Sequence, residues 1–326
     1  MRCEFISREA GGLLTIRELC TLVKVRPVSY YRFKKRTDDD EKRENEVSEP
    51  QERVAAELVR EVFWRHSRRY GSRRIHAELR AEGEKVGRHK VRRLLREQGL
   101  RPIQPKSFVP KTTDSRHFLG YSPNLLLKAE LPPLRPKQVI VGDITYLPLA
   151  TGGFAYLATW LDLFSRKLLG WAIRDNMEEG LIVEAMEMVI RRHTPLSKEV
   201  IVHSDRGGQY AGKKFRQLLE RYRIRQSMSR AGETYDNAYA ESLFSRYKAE
   251  LMEHGVFPDL EVARSETFQY LEGYYNKLRR HSGLGYLTPQ EYEEKYVEER
   301  DRELGRKLEK NPPKGIPAKQ HLCNKL

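Results

Sequence analysis

Asp143 occupies a position where a carboxylate is unusual. It interrupts the apolar run 139–146, although aspartate is disfavoured in strands and is rarely buried without a partner. An ionised carboxylate in such a place needs a cation or strong hydrogen-bond donors. We therefore expect Asp143 to bind a metal ion. The alternative is a structural aspartate that accepts hydrogen bonds from neighbouring backbone amides.

Asp205 and Glu241 are weaker candidates when each is considered alone. Asp205 directly follows a predicted strand, where α/β folds place functional groups, but an aspartate before two glycines is equally typical of a turn or a helix cap. A helical glutamate such as Glu241 ordinarily faces solvent. Its spacing selects it, because 35 residues separate it from Asp205 and 61 separate Asp205 from Asp143. Lys248 lies near the same helical face as Glu241, where a cation could hold a phosphate.

Other titratable residues have structural interpretations. Asp162 also lies at a predicted strand end, and we expect it to be structural and paired with Arg166. Asp236 or Asn237 is expected to cap the helix that carries Glu241. His203 and His281 could act as acid/base groups, but packing or phosphate contact is the simpler interpretation.

The elements that must position these acids follow from hydrophobic patterning. Short links between the first three strands favour antiparallel hairpins. The later alternation of helices and strands implies a mixed sheet with helices on both faces. The predicted elements are strands over 139–146, 154–161 and 167–173, a helix over 178–192, a strand over 200–203, a helix over 213–222, a strand over 225–228 and a long helix from about 237.

The net charge of +15 on these 326 residues is concentrated in one part of the chain. Residues 51–112 carry 17 basic and 7 acidic side chains, which is two thirds of the excess. Such density is typical of a module that neutralises phosphates. The alternative is a solvated basic face that serves solubility. We favour nucleic-acid binding.

Three amphipathic helices are predicted within this basic segment. Their inward residues are Val54, Leu58 and Val62 in the first, Ile75 and Leu79 in the second, and Val91, Leu94 and Leu95 in the third. The third is the natural one to lie along a DNA groove. The side chains expected to contact DNA, at base edges or at phosphates, are Arg73, Arg74, Arg88, Lys90, Arg92, Arg93 and Arg96, together with Lys248.

A helix-turn-helix pattern precedes the basic segment. Thr15 and Glu18 form a predicted capping box before an apolar stripe of helical period, and Pro27 suits the first turn of a second helix over 28–35. Any small helical hairpin could share this pattern. Residues 37–52 are expected to be an acidic connector.

Composition excludes several classes of protein. No run of 18 apolar residues exists and the first residues lack a secretory apolar region, so we expect neither a membrane protein nor an exported one. The three cysteines form no pair with zinc or disulfide spacing. A cytoplasmic, nucleoid-associated protein is the expectation.

Several segments together resemble one family. Residues 141–146 around Asp143, 203–210 around Asp205 and 235–242 around Glu241 resemble the DDE motifs of bacterial insertion-sequence transposases, in the OrfB-type subgroup that is close to retroviral integrases. The 35-residue gap is similar too, as are the segments 70–75, 111–114 and 275–289. The resemblance runs from about residue 15 to residue 292. The His/Cys zinc module of retroviral integrases has no counterpart here.

The resemblance implies a fold and a chemistry. The fold would be α/β, an RNase H-like mixed five-stranded sheet preceded by all-α helix-turn-helix modules. Asp143, Asp205 and Glu241 would hold two Mg²⁺ or Mn²⁺ ions, with Asp143 bridging both. Water would first cleave at the element's end, and the resulting 3′-hydroxyl would attack a second phosphodiester without a covalent protein–DNA intermediate.

The resemblance also implies partners. They are DNA, as terminal inverted repeats and as target, further copies of the chain on that DNA, and an upstream-frame (OrfA-type) partner or fusion. Two other functions stay open, namely an RNase H-like nuclease or resolvase without strand joining, and a helix-turn-helix regulator with an inactive core.

These features predict five segments. Residues 1–48 form an N-terminal helix-turn-helix and 49–101 a basic helical DNA-binding module. A linker over 102–136 leads to an integrase-type catalytic core with a helical extension over 137–298. A basic, disordered tail over 299–326 follows.

Overall fold

The computed structural model describes residues 2–12, 14–46, 49–104, 120–128, 132–194, 196, 199–230, 238–252 and 255–310. They belong to two compact units, Met1–Arg101 and Pro102–Leu326. None of the described helices is both long and apolar enough to cross a membrane.

The first unit begins with three helices, α1 (Arg2–Glu9), α2 (Ile16–Leu22) and α3 (Pro27–Glu46). Their shared core consists of Ile6, Leu19, Cys20 and Tyr30, which are all buried. The sequence indicated α2 and the start of α3 but not α1. Helix α3 also continues to Glu46, so residues 37–46 are helical rather than the expected connector.

The predicted capping box at the start of α2 is confirmed. The Thr15 hydroxyl accepts from the Glu18 N–H at 3.4 Å, and the Glu18 carboxylate accepts from the Thr15 N–H at 2.7 Å. Each side chain thus satisfies a backbone donor that the first helical turn leaves without a partner.

The basic segment forms α4 (Glu49–Arg65), α5 (Ser72–Ala81) and α6 (Arg88–Glu97). Every predicted inward residue of α5 and α6 is buried. In α4 the expected stripe is displaced, because Val54 is 59% exposed and Leu58 half-buried. The buried residues of α4 are Ala55, Val59, Val62, Phe63.

The second unit contains a five-stranded sheet of β1 (Val139–Pro148), β2 (Phe154–Asp162), β3 (Leu168–Arg174), β4 (Ile201–Ser204) and β5 (Arg225–Met228). The strand order is β3-β2-β1-β4-β5. Both hairpins are antiparallel, whereas β4 pairs in parallel with β1 and β5. The predicted strands, the mixed sheet and the RNase H-like fold class are confirmed.

Helices cover both faces of this sheet. On one face, α7 (Glu179–His193) and α8 (Lys213–Arg221) contribute to a core that includes Ile140 and Trp160. Helix α9 (Ala238–Leu251) contacts β1. Its buried residues Leu243, Phe244 and Tyr247 lie outside that core, as expected of a helix on the opposite face.

Residues 120–128 pack against the edge strand β5. The Ser122 hydroxyl donates to Gln226 at 2.7 Å, and the Leu125 N–H donates to the Ser227 hydroxyl at 2.9 Å. Leu126 is buried. This part of the expected linker is therefore attached to the sheet; residues 105–119 and 129–131 lie outside the described residues.

A helical extension follows α9. It consists of α10 (Leu260–Phe268), a π-helical segment (Gln269–Tyr275) that continues it, and α11 (Pro289–Lys310). The π-helical segment buries Tyr270, Leu271, Tyr274 and Tyr275. Helix α11 reaches into the segment 299–326 that was expected to be a disordered tail; residues 311–326 lie outside the described part of the chain.

Candidate active site

Asp143 lies in the middle of β1, directly across from Thr159 of β2. Its side chain is half-buried, and its Oδ1 accepts a hydrogen bond from the Ile144 N–H at 2.8 Å. This contact with its own neighbour is the kind that the structural alternative required. The pKa of Asp143 is nevertheless raised. The hydrogen bond from a single amide therefore does not offset the burial of the charged carboxylate.

Asp205 follows β4 immediately. In the parallel register of β1 and β4, Val141 pairs with His203. Continuing that register by two residues brings Asp205 beside Asp143. The Asp205 Oδ1 accepts from the Gly207 N–H at 2.9 Å, which orients the carboxylate in the turn after the strand.

Glu241 lies in the first turn of α9 and is exposed. Helix α9 contacts β1, and its buried residues Leu243, Phe244 and Tyr247 hold it in place. The expected cap, Asp236 or Asn237, lies outside the described residues.

The three carboxylates act on one another electrostatically. The pKa of Asp143 is raised to about 8, first by burial and then by the charge of Asp205, with a further contribution from Glu241. The pKa of the buried Tyr210 phenol is also raised, by burial and by Asp143 and Asp205. Three acids that are distant in sequence therefore share one electrostatic environment, and without a cation Asp143 keeps its proton at neutral pH.

Lys248 of α9 lies close enough to Asp143 for the two charges to interact. It is half-buried, and burial lowers its pKa while the charge of Asp143 opposes that shift. An ammonium group here partly balances the acidic charge.

The donor chemistry fits hard divalent cations, since it consists only of carboxylate oxygens. Among the described residues, no group of three or more histidine, cysteine or acidic side chains is arranged closely enough to hold a metal ion. The charges of Asp205 and Glu241 help to raise the pKa of Asp143. A positive charge between the three carboxylates would relieve this repulsion.

Asp162 has the structural role expected of it, although not through an ion pair with Arg166. It is fully buried and accepts hydrogen bonds from the Lys137 N–H at 2.9 Å and from the Ser165 hydroxyl at 2.6 Å. The Arg166 guanidinium instead lies over the Tyr239 ring at 3.5 Å. Asp162 thus organises the β2–β3 turn.

The two histidines also have surroundings that favour packing. His203 is fully buried and lies between the hydroxyls of Ser227 and Ser229, at 2.8 and 3.1 Å. His281 contacts the Tyr275 ring edge-on at 5.1 Å. These are the contacts of packed side chains, which was the simpler interpretation of both residues.

Sequence reasoning missed Tyr210 and Trp160. Tyr210 was part of the segment around Asp205 but was given no role. Trp160 packs against Gly142, the residue before Asp143, and stacks on Phe215 with the ring centroids 5.6 Å apart. The only signal for this contact was a glycine inside an apolar strand, which can mark a close approach.

The predicted DNA-contact residues of the first unit fall into two groups. Arg73, Arg88, Arg92, Arg93 and Arg96 are exposed, whereas Arg74 and Lys90 are half-buried. The Arg74 guanidinium lies over the Tyr70 ring at 5.6 Å.

Comparison with known families agrees with this architecture. Residues 133–234 and 222–289 match two families that are both described as an integrase core domain. Residues 49–108 match an HTH-like domain. These ranges cover the sheet with its acids and the basic helices α4–α6.

Curated relatives decide the family. Transposase InsF for insertion sequence IS3A of Escherichia coli (strain K12) is 40% identical over 239 residues, which cover 73% of this chain and 81% of the relative. The chain belongs to the transposases of IS3-type insertion sequences. An uncharacterized 31 kDa protein of insertion element IS600 from Shigella sonnei is 35% identical to this transposase over 278 residues, which cover 85% of this chain and 98% of that protein.

Solved structures include more distant similarities to the transposase. The HTLV-2 integrase catalytic core domain, solved in complex with magnesium, is 17% identical with a TM-score of 0.35 and covers 49% of this chain and 97% of that chain. A simian T-cell lymphotropic virus intasome in complex with PP2A regulatory subunit B56 gamma is 14% identical with a TM-score of 0.36, over 69% of this chain and 70% of that chain.

Family membership establishes the general activity. The transposase is a polynucleotidyl transferase that binds DNA and acts in DNA transposition. Nothing in these relationships favours a nuclease without strand joining or a regulator with an inactive core.

Proposed function

We propose that Asp143, Asp205 and Glu241 are the catalytic carboxylates of this transposase and that they hold two divalent ions, Mg²⁺ or Mn²⁺. The observation that carries the proposal is the raised pKa of Asp143, to which Asp205 and Glu241 both contribute from separate elements of the fold. Acids whose pKa values are shifted by one another are typical of functional sites.

Two such ions, when bound, would activate an attacking oxygen and stabilise the leaving oxygen of an in-line displacement at phosphorus. Asp143 would lose its proton when a cation binds, because metal ligands must be deprotonated. Asp205 is oriented by the Gly207 N–H, and Glu241 by the packing of α9 on β1. Lys248 holds a DNA phosphate beside these acids.

The reaction proceeds in two steps at one site. Water attacks the phosphodiester at the element's end, and the 3′-oxygen leaves and takes up a proton to become a 3′-hydroxyl. This hydroxyl then attacks a phosphodiester of the target, joins to its phosphorus and displaces the target's own 3′-oxygen, which leaves as a hydroxyl. The chain itself supplies no nucleophile, so no covalent protein–DNA intermediate forms.

Alanine substitution tests the three acids. D143A, D205A and E241A should each abolish metal-dependent cleavage and strand joining while DNA-end binding persists. D175A is the matched control, since Asp175 is exposed beyond β3. If D162A abolishes the chemistry in folded protein while D143A does not, the assignment is wrong.

The helical unit supplies DNA binding in this proposal. Helix α6 of the HTH-like domain lies along the terminal inverted repeats. The predicted basic residues outside α6, which are Arg73, Arg74 and Lys248, contact phosphates. Binding should weaken steeply with salt. An association with DNA that is insensitive to salt would contradict this part of the proposal.

The partners of the transposase are further copies of the chain on DNA and an OrfA-type product of an upstream frame. Transposition joins two element ends to one target, so two copies can each hold one end. Light scattering of the chain with and without an end duplex, and with the upstream product added, tests this assembly; a single copy on paired ends would contradict it.

A further inference from the structure

Glu52 of α4 lies between two cations of α6. The Lys90 Nζ is 3.4 Å from the Glu52 Oε2, and the Arg93 guanidinium donates to the Glu52 Oε1. Arg93 also reaches Glu97 on its own helix at 3.3 Å. The hydrogen bond from Arg93 lowers the pKa of the Glu52 carboxyl, so Glu52 is ionised at neutral pH. One carboxylate of α4 therefore engages two of the five cations of α6.

The other three cations of α6 differ from these two. Arg88, Arg92 and Arg96 are four residues apart and lie along one side of the helix. All three are exposed, and within the described residues no carboxylate forms an ion pair with any of them. The basic charge of α6 is thus divided between a row of three arginines and a pair, Lys90 and Arg93, that meets Glu52 of α4.

We propose that Glu52 holds Lys90 and Arg93 against α4 and thereby limits the sequence-independent part of DNA binding by this transposase. This inference rests on the proposed role of α6 as the DNA-facing helix. Each cation that reaches a phosphate adds affinity for any duplex. Contacts of that kind position a protein on DNA but carry no sequence information.

The consequence is an improved ratio of specific to non-specific binding. A transposase must locate its ends among a large excess of other sequence, so this ratio matters more than affinity alone. Glu52 reduces the charge available to every duplex, while the row Arg88, Arg92 and Arg96 stays free to contact the correct site. Glu52 is therefore a specificity-determining residue that itself need not touch DNA.

Salt titration of the full chain on an unrelated duplex tests this inference. E52Q frees two cations, so the slope of log K against log salt should steepen by about 1.8. Affinity for unrelated DNA near 0.1 M salt should rise on the order of tenfold, and the preference for an element-end duplex should fall.

E57Q is the matched control. Glu57 lies on the same helix and pairs with Arg60, also of α4, at 2.6 Å. The substitution makes the same change in net charge but leaves Lys90 and Arg93 with Glu52, so the slope should change little. Equal slopes for E52Q and E57Q would overturn the inference.

Two further variants distinguish a failure of the inference about Glu52 from a failure of the proposed DNA contact by α6. In the triple variant E52Q/K90Q/R93Q the gain should disappear; its persistence would show that other cations cause it, which also overturns the inference. R92Q/R96Q should flatten the slope of the otherwise unchanged chain. If it does not, the proposed DNA contact of α6 fails. If it does and E52Q still behaves like E57Q, only the inference about Glu52 fails. Thermal unfolding confirms that each variant is folded.

Discussion

Arg279 and Glu250 form a buried ion pair that joins the helical extension to α9. The Arg279 Nη2 is 2.6 Å from the Glu250 Oε1, and the two side chains are only 3% and 6% exposed. The Tyr270 hydroxyl donates to the other carboxylate oxygen at 2.8 Å. The helix that carries Glu241 and Lys248 is therefore fixed at its far end by residues outside the sheet.

Breaking this pair should destabilise the second unit. R279M removes the guanidinium and leaves the Glu250 carboxylate buried without a positive charge to balance it, which costs about 3–5 kcal/mol. Urea unfolding measures the loss. R264M is the control, because Arg264 and Glu261 form an exposed pair that contributes about 0–1 kcal/mol. Similar losses in the two variants would contradict the importance of burial.

Asp143 should make the stability of the metal-free protein fall with increasing pH. Its pKa is raised from the ordinary value of 3.8 to about 8, mainly by burial. The folded chain thus holds a proton that the unfolded chain has lost. This contribution is complete below about pH 4 and disappears as pH rises through 8, at up to about 1.4 kcal/mol per pH unit.

Chemical denaturation in EDTA from pH 5 to 8 compares the wild type with D143N. The variant has no titrating group at this position, so its free energy of unfolding should decline less over that range. Parallel pH profiles for the two proteins would refute the raised pKa of Asp143.

His193 should make the stability of the protein fall as the pH decreases, which is opposite to the effect of Asp143. Burial, followed by the charges of Lys137 and Lys167, lowers its pKa from 6.5 to about 4. The unfolded chain then binds the extra proton, so this residue's stabilising effect is present above pH 6.5 and is lost as pH falls towards 4. The advantage of wild type over H193Q should shrink by on the order of 1 kcal/mol between pH 7 and 4.5, a figure reduced for solvent screening because His193 is only partly buried. A difference that stays constant would show that the folded and unfolded pKa values are alike.

Gly142 should tolerate no side chain. A Cβ at this residue would lie 2.1 Å from the Trp160 ring, which is itself 1% exposed. G142A should cost about 1–3 kcal/mol in unfolding free energy. G273A is a suitable control, since a Cβ on Gly273 meets no atom within 4 Å. The cost should be smaller when G142A is introduced into W160L, where the ring is absent; an undiminished cost would point to another cause.

Local patterns predicted much of the fold but not its long-range contacts. The hairpin strands and the inward faces of α5 and α6 follow from periodicity within a few residues. The acidic part of α3 lacks apolar periodicity and was therefore expected to be a connector. Helix α4 has apolar residues on more than one side, so its periodicity alone does not specify which of them are buried. Tertiary packing leaves Val54 exposed, although it belongs to the predicted stripe.

The candidate site could be located only in part from the residues. Asp143 was conspicuous as a charge in an apolar strand, whereas Asp205 and Glu241 were selected by spacing and by family resemblance. The proximity of Asp205 to Asp143, which 61 residues separate in sequence, depends on the parallel pairing of β1 with β4, which no local pattern specifies. The pairing of Glu250 with Arg279, and of Glu52 with Lys90 and Arg93, depends on packing in the same way.

The π-helical segment Gln269–Tyr275 determines where the length of this chain can vary. A π-helical turn contains about one residue more than an α-helical turn. Deleting one residue there converts the turn to an α-helical one and leaves the following residues close to their present direction. The same deletion within α10 would rotate everything that follows by about 100°, and Arg279 would turn away from Glu250. A one-residue deletion is therefore expected to be accepted more readily in the π-helical segment than in α10.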